Sequence, residues 1–501
     1  MSVANTPATR LPYQIVLAAL AAGLLFDLLL RERPWGVNFG IWSVAVLVMF
    51  LTLAHRNGVS LALPQRSALA ILFLFSLLVA WRDSPTLKSI DFVIIVACLA
   101  LLILQRSGVD PLRAGLTHYA IAGFLAGMHA FVAPLVLLFS DVQWRQLSPS
   151  GRRGHAWAVV RGIVIALPLL LLFGALLVAA DALFERLVEE TLDINLAGTF
   201  RHLLWIVLAA WIVAGLLRGS LYQSLVRLQP GAKAPFLSLG FIETVTVLVL
   251  LNLLFLSFVA VQFGYLFGGA SFVRDTARLT LAEYARRGFF ELVTVAMLVI
   301  PLLLALDYVA RRESPREFRL FRLLTGSLVV LLGVIIISAL DRMRLYRTEF
   351  GITELRLYTT AFMMWLGAVV LWFLLTVLRG KRERFMSGAF ALACVAAILL
   401  HAANPDEKIV RINVERVRER PLDSRYLTTL SWDAVPELLR SLPSLHPGDR
   451  NTLLVHLRIR SSSTSDWDWR TWSVARWQGA KALGGHPWTS PSAAHPSVRP
   501  Q

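Results

Sequence analysis

Apolar residues arrive in this chain in blocks of membrane length. Val164–Ala180 and Val247–Val261 are two such blocks, and short charged stretches separate one block from the next. A soluble core has no need of that repetition, whereas a helix crossing ~30 Å of hydrocarbon needs roughly 20 apolar residues in a row. Composition agrees. Of 501 residues 56% are hydrophobic and only 16% charged, with a mean hydropathy of +0.64, against ~45–50% and ~25% in a soluble domain. The excess requires a lipid-facing surface. The expected fold class is therefore all-α: a polytopic transmembrane helical bundle of about 12 helices with a small helical C-terminal domain.

The predicted spans are 12–30, 36–54, 67–81, 90–105, 117–139, 156–180, 202–217, 239–266, 289–310, 320–340, 357–378 and 386–403. The third and fourth are short enough to be one re-entrant pair, and 239–266 is long enough to cross with tilt. Arg10 and the run after it resemble a signal peptide, but the run is long and Arg31-Glu32-Arg33 follows at once, so it reads as a retained first helix. Four regions result: N-terminal spans over 1–235, a second group over 236–403, a water-exposed helical domain over 404–483, and a disordered tail over 484–501. A slight excess of Lys and Arg after odd-numbered spans puts 379–385 in the cytoplasm, acidic 181–201 outside, and both termini outside.

The formal charge of +17 invites a nucleic-acid partner. The basic residues lie in the gaps between blocks, however, as juxtamembrane anchors do, and no basic stripe with stacking aromatics exists; no nucleic acid is expected. Cys98 and Cys394 both fall inside spans and read as small core residues. Metal-ligand spacing, a phosphate-cradling loop, a nucleophile elbow and a nucleotide fingerprint are all missing, so neither cofactor nor metal is expected.

Ionisable residues inside a span are costly and demand a reason. Those noted are Asp27, His129, Arg161, Glu243, Glu291 and Asp307, with Asn252 and Gln262 as neutral polar company. Most stand near span ends, within reach of headgroups. His129 and Asn252 are deep, where a helix-to-helix hydrogen bond competes with a substrate or proton path. Two denser clusters follow even-numbered spans and so share one side of the membrane. In the first, Glu283, Arg287 and Glu291 fall at i, i+4, i+8 on one helical face, beside Tyr284 and Arg286. The second holds Arg342, Tyr346, Thr353, Glu354, Arg356 and Tyr358. Arginine forks suit phosphate and carboxylate groups, while an interfacial salt-bridge network would use the same residues to orient helices.

After Ala403 the chain turns polar. Asn404-Pro405-Asp406-Glu407 has the pattern of a helix start. Ile409, Ile412 and Val417 are placed to share a packing face, and a second helix is expected from Asp433 to Arg440. A stretch with Trp467, Trp469, Trp472 and Trp477 follows, better suited to the membrane surface than to the helical domain.

The run Leu251-Asn252-Leu253-Leu254-Phe255 through Gln262 to Gly268-Gly269, with Ala282-Glu283-Tyr284-Ala285-Arg286-Arg287-Gly288, resembles a bacterial membrane family, the domain of unknown function DUF4173, and its relative DUF4153. Phe350-Gly351-Ile352-Thr353 with Arg356, Asn404-Pro405-Asp406 with Asn413, and the Asp423–Val435 stretch with Tyr426 and Asp433 resemble the same family. The resemblance covers roughly 240–480 and implies a bacterial inner membrane and a set of positions rather than a reaction. Those positions are Asn252, Gln262, Glu283, Tyr284, Arg286, Gly288, Arg342, Thr353 and Arg356.

Three functions compete. The leading one is transport or flux of a small anionic or lipid-like solute, with the arginines at one mouth, Asn252 and Gln262 along the path, and a dispensable C-terminal domain. The second is a non-catalytic envelope or signalling component that binds a protein partner through that domain. The third is a transferase on a lipid-linked substrate, with Glu283 or Glu354 as base. Beyond these partners only the lipid bilayer is expected.

Overall fold

The computed structural model describes residues 7–142, 196–222, 239–267, 289–310, 314–417, 421–462 and 467–486, with scattered helical positions between 159 and 181. Seventeen α-helices occupy the described residues. They are α1 (Pro7–Leu30), α2 (Val37–Arg56), α3 (Leu63–Leu78), α4 (Pro85–Arg106), α5 (Leu116–Phe131), α6 (Ala133–Val136), α7 (Leu196–Leu217), α8 (Phe241–Phe267), α9 (Phe289–Val309), α10 (Pro315–Phe350), α11 (Glu354–Thr376) and α12 (Phe385–Ala403) in the polytopic bundle. Beyond it come α13 (Pro405–Glu415), α14 (Ser424–Thr428), α15 (Val435–Ser441), α16 (Pro447–Ser462) and α17 (Val474–Gly484).

Nine of the described helices are long and apolar enough to cross a membrane, and α5 with α6 and the π-turn after it, bent by 51°, would make a tenth. The spans at 67–81 and 90–105 do not behave alike. α3 stays short at 16 residues, but α4 extends back to Pro85 and runs for 22, a full crossing rather than half of a re-entrant pair. The span at 156–180 lies for the most part outside the described residues.

The largest departure is α10. Its 36 residues make a helix of about 54 Å at 1.5 Å per residue, against ~30 Å of hydrocarbon. The apolar stretch Leu323–Leu340 is the membrane part, and Asp341–Arg347, expected in a connection, continues the same helix beyond it. Its start is fixed by a capping box: Ser314 accepts from the Glu317 amide and Glu317 accepts from the Ser314 amide, with Pro315 in the first turn.

Two apolar clusters hold the membrane helices. One joins α1–α4 with α7; at Gly23 of α1 a Cβ would lie 2.4 Å from the Ile206 carbonyl, so only glycine permits this approach of α7. The other joins α8–α11. α12 serves both, placing Phe385 in the second and Cys394 and Ala397 in the first. A third core, including Ile409, Val410, Leu427, Leu438 and Leu453, holds α13–α16 and takes in Ile352 from the link between α10 and α11.

The C-terminal helices lie over one end of the bundle. Arg470 donates to the Leu28 carbonyl, the Trp472 carbonyl accepts from Val37, and Val474 and Ala475 donate to Ala80 and Trp81. The Trp-rich stretch thus packs on the ends of α1–α4, and Trp467 meets Trp432 edge to face, while the rings of Trp469, Trp472 and Trp477 remain exposed. At the opposite end Arg382 pairs with Asp307 beside a cavity of about 620 Å³ that Asp110, Arg113 and His118 also line.

Candidate functional site

Between α10 and α11 the chain turns through Gly351-Ile352-Thr353. Gly351 has φ 75° and ψ −173°, a region essentially closed to residues with a Cβ, and a Cβ there would lie 2.5 Å from Asn413 Oδ1. The close approach has a purpose. Asn413 of α13 accepts from the Ile352 amide at 2.9 Å and donates to the Ile352 carbonyl at 2.7 Å, pairing with the turn as a strand would. Gly351→Ala is therefore expected to weaken docking of α13 by about 1–3 kcal/mol, read as roughly 5- to 150-fold faster amide exchange in α13.

Two guanidinium groups are held at this turn by backbone. Arg356 donates to the carbonyls of Phe350 and Gly351 and lies 4.3 Å over the Tyr346 ring. Arg416 donates to the carbonyls of Arg347 and Thr348 at the end of α10. Among the described residues no carboxylate forms an ion pair with either. Tyr426 accepts from the Glu354 amide at 2.7 Å, and burial pushes its hydroxyl up to about 12, so it stays neutral. Together with Thr353, Asn413 and Asp423 these residues line a cleft of about 410 Å³, within the size range of small-ligand sites. Phe350, 56% exposed, and Leu422 add apolar surface to its lining.

Beside the cleft a buried polar network ties α13–α17 to the bundle. Asp433 is its hub. Its Oδ2 accepts from the amides of Asp83 and Ser84, which makes it an anionic cap on the N-terminus of α4, and its Oδ1 accepts from Arg82 at 3.2 Å. Arg82 also donates to the His401 carbonyl. Asp83 receives Lys88 and Arg476, and Ser431 bridges Asp433 to Asp406. Burial raises the Asp433 carboxyl in spite of these donors, and raises Asp406, helped by the nearby charges of Glu354 and Asp433, to about 6. Tyr358 of α11 shares a hydrogen bond with Ser84 at 3.1 Å. Below it, His401 of α12 meets Asp91 of α4 at 2.9 Å.

Of the residues singled out from sequence, the structure brings Tyr346, Thr353 and Arg356 together at the cleft, while Arg342 is buried on α10. Asn252 is elsewhere: it donates to the Leu324 carbonyl and accepts from Ser327, joining α8 to α10. Gln262 lies on α8 and Glu291 is exposed in the first turn of α9. Glu283, Tyr284, Arg286, Arg287 and Gly288 lie outside the described residues, so the i, i+4, i+8 ladder does too. Among span residues, Asp27 pairs with Arg31 and His202, Glu243 accepts from the Gly240 amide, and His129 is buried against α7. Arg161 lies outside the described residues.

Sequence reasoning passes over Asp91 and His401, because spans drawn at 90–105 and 386–403 leave each next to an end. Pro85 directly after Ser84 is the signal that would have lengthened α4 and put Asp91 inside it. It also passes over Arg416, whose partners lie nearly 70 residues away.

Residues 69–441 match the family model described as domain of unknown function DUF4153. The chain belongs to that family. The match is to the relative rather than to DUF4173 itself; it begins within α3, with α1 and α2 outside it, and runs through the second group of membrane helices to the end of α15. No curated protein and no solved structure matches the chain.

Proposed function

We propose that this member of the DUF4153 family is a membrane-embedded binding and flux protein for a small anionic or lipid-like solute, received in the Gly351–Arg356 cleft. We place it, on the same reading, in a bacterial inner membrane. The observation that carries the proposal is the pair of guanidinium groups, Arg356 and Arg416, each oriented by backbone carbonyls and neither neutralised by a carboxylate among the described residues. Cations fixed in this way present spare N–H groups to a phosphate or carboxylate without being reoriented first. Exposed Phe350, with Leu422 in the lining, suits a ligand with an apolar part. Because Asn413, Arg416 and Tyr426 come from the C-terminal helices, flux on this reading requires them, and a dispensable C-terminal domain is no longer expected of it.

The test uses the full chain in phosphatidylcholine nanodiscs, offered either inorganic phosphate or phosphatidylglycerol, with occupancy read by native mass spectrometry. Arg416→Ala and Arg356→Ala are each expected to weaken binding roughly 10- to 150-fold, the loss of one charge-assisted hydrogen bond of ~1.5–3 kcal/mol. Loss confined to phosphatidylglycerol assigns a lipid headgroup, and loss confined to phosphate assigns a free anion. Unchanged occupancy by both probes in both variants would refute the proposal.

A further inference from the structure

Asp91 and His401 are brought together where the two groups of membrane helices join. α4 belongs to the first apolar cluster, and α12 is the helix that serves both. Both side chains are fully buried, with His401 Nε2 2.9 Å from Asp91 Oδ1. Asp91 lies six residues past Pro85, about 9 Å along the helix axis, and His401 is two residues before the end of α12. The pair is thus inside the bundle but close to the face that the C-terminal helices cover.

As a structural bolt this pair is a poor choice. Removing two ionisable groups from water offsets much of their attraction, and apolar side chains of similar volume do as well. Its hydrogen bonding is also incomplete: Asp91 Oδ2 and His401 Nδ1 have no partner among the described residues. One carboxylate oxygen and one ring nitrogen are therefore left with unused proton-accepting capacity, at a depth where ionisable residues carry function.

The surroundings fix what the pair can hold. On α4, Lys88 is committed to Asp83 and the Trp35 carbonyl. From the turn before α4, Trp81 lies 6.0 Å from the imidazole, near parallel to it, and Arg82 is held by the His401 carbonyl and Asp433. On the covering side are Tyr358 and Glu354 of α11, Asp406 of α13, and Asp433, Arg460 and Arg476 of the C-terminal helices. With His401 neutral, the five carboxylates Asp83, Asp91, Glu354, Asp406 and Asp433 face the four cations Arg82, Lys88, Arg460 and Arg476. A proton arriving at the pair offsets the one excess negative charge and makes a single N–H or O–H bond, giving either imidazolium with carboxylate or imidazole with carboxylic acid.

We propose that Asp91 and His401 together form a proton-binding site at the join of the two groups of membrane helices. Its ligand is a single proton, and the site stands apart from the anion cleft: the test below needs no solute.

The full chain, carrying ring-nitrogen-labelled histidine, is titrated in nanodiscs by NMR, with the His401 signal identified by its loss in His401→Gln. The ring is expected to pass from neutral to protonated within the pH range where the chain stays folded, and Asp91→Asn is expected to lower its proton affinity at least roughly tenfold through loss of the adjacent charge. A ring fixed in one protonation state throughout, or a titration unmoved by Asp91→Asn, would overturn the proposal. Should Asp91→Asn fail to fold, proton uptake after a pH jump decides between the wild-type chain and His401→Gln. Uptake one proton larger in the wild type supports the site, and equal uptake overturns it.

Discussion

Asp433→Ala is expected to loosen α13–α17 from the bundle by about 3–5 kcal/mol, the cost of removing one partner from a buried ion pair. Three losses combine at this residue. Arg82, nine-tenths buried, is left without its carboxylate. The amides of Asp83 and Ser84 lose their acceptor at the N-terminus of α4, and Ser431 loses one of its two carboxylate neighbours. Asp433→Asn keeps an acceptor for those amides and gives up only the charge, so its effect is smaller. Amide exchange in α13 and α15, followed in nanodiscs, measures both. Protection in Asp433→Ala equal to wild type would mean that the apolar core around Ile352, Ile409 and Leu438 holds the helices alone.

The second large effect is a dependence on pH. Burial holds the Asp406 carboxyl at about 6 in the folded chain, against ~3.9 when unfolded. The folded state therefore binds the proton more tightly, so its stability increases as pH falls through 6 and levels off below the unfolded value. Each tenfold difference in affinity is ~1.4 kcal/mol, so the contribution is about 3 kcal/mol across that window. Asp433 is shifted in the same direction and adds to it. Protection factors for α13, which divide out the intrinsic pH dependence of exchange, are expected to rise from about pH 7.5 to about pH 5. Asp406→Asn retains an acceptor for the Ser431 amide and flattens the rise. A flat profile in the wild-type chain would show that the carboxylate has other means of neutralisation.

The membrane helices were legible in the sequence because each satisfies the bilayer locally, with its own apolar block. Asn404 was legible for a similar reason: it caps α13 in a left-handed conformation at φ 47°, accepting from the Glu407 amide three residues on. The extent of α10 was not, since Asp341–Arg347 looks like a polar connection although nothing in it stops a helix; Gly351 does. The polar network was least legible of all. Arg82 finds Asp433 across 351 positions and Asp91 finds His401 across 310, and no local pattern announces such a partner. Arg356 could be singled out from its neighbours, but the residues that complete its cleft, Asn413 and Arg416, are supplied by a helix on the far side of α11 and α12 in the chain.

The cleft itself is most directly tested at Thr353, which lines it. With the buried Cys98 and Cys394 replaced by Ala, a single cysteine at Thr353→Cys is labelled with a membrane-impermeant maleimide in nanodiscs with and without inorganic phosphate or phosphatidylglycerol. An anion seated between Arg356 and Arg416 slows labelling, and Arg416→Ala restores the unprotected rate. Labelling at one rate in the presence and absence of both anions would contradict the cleft as the binding site.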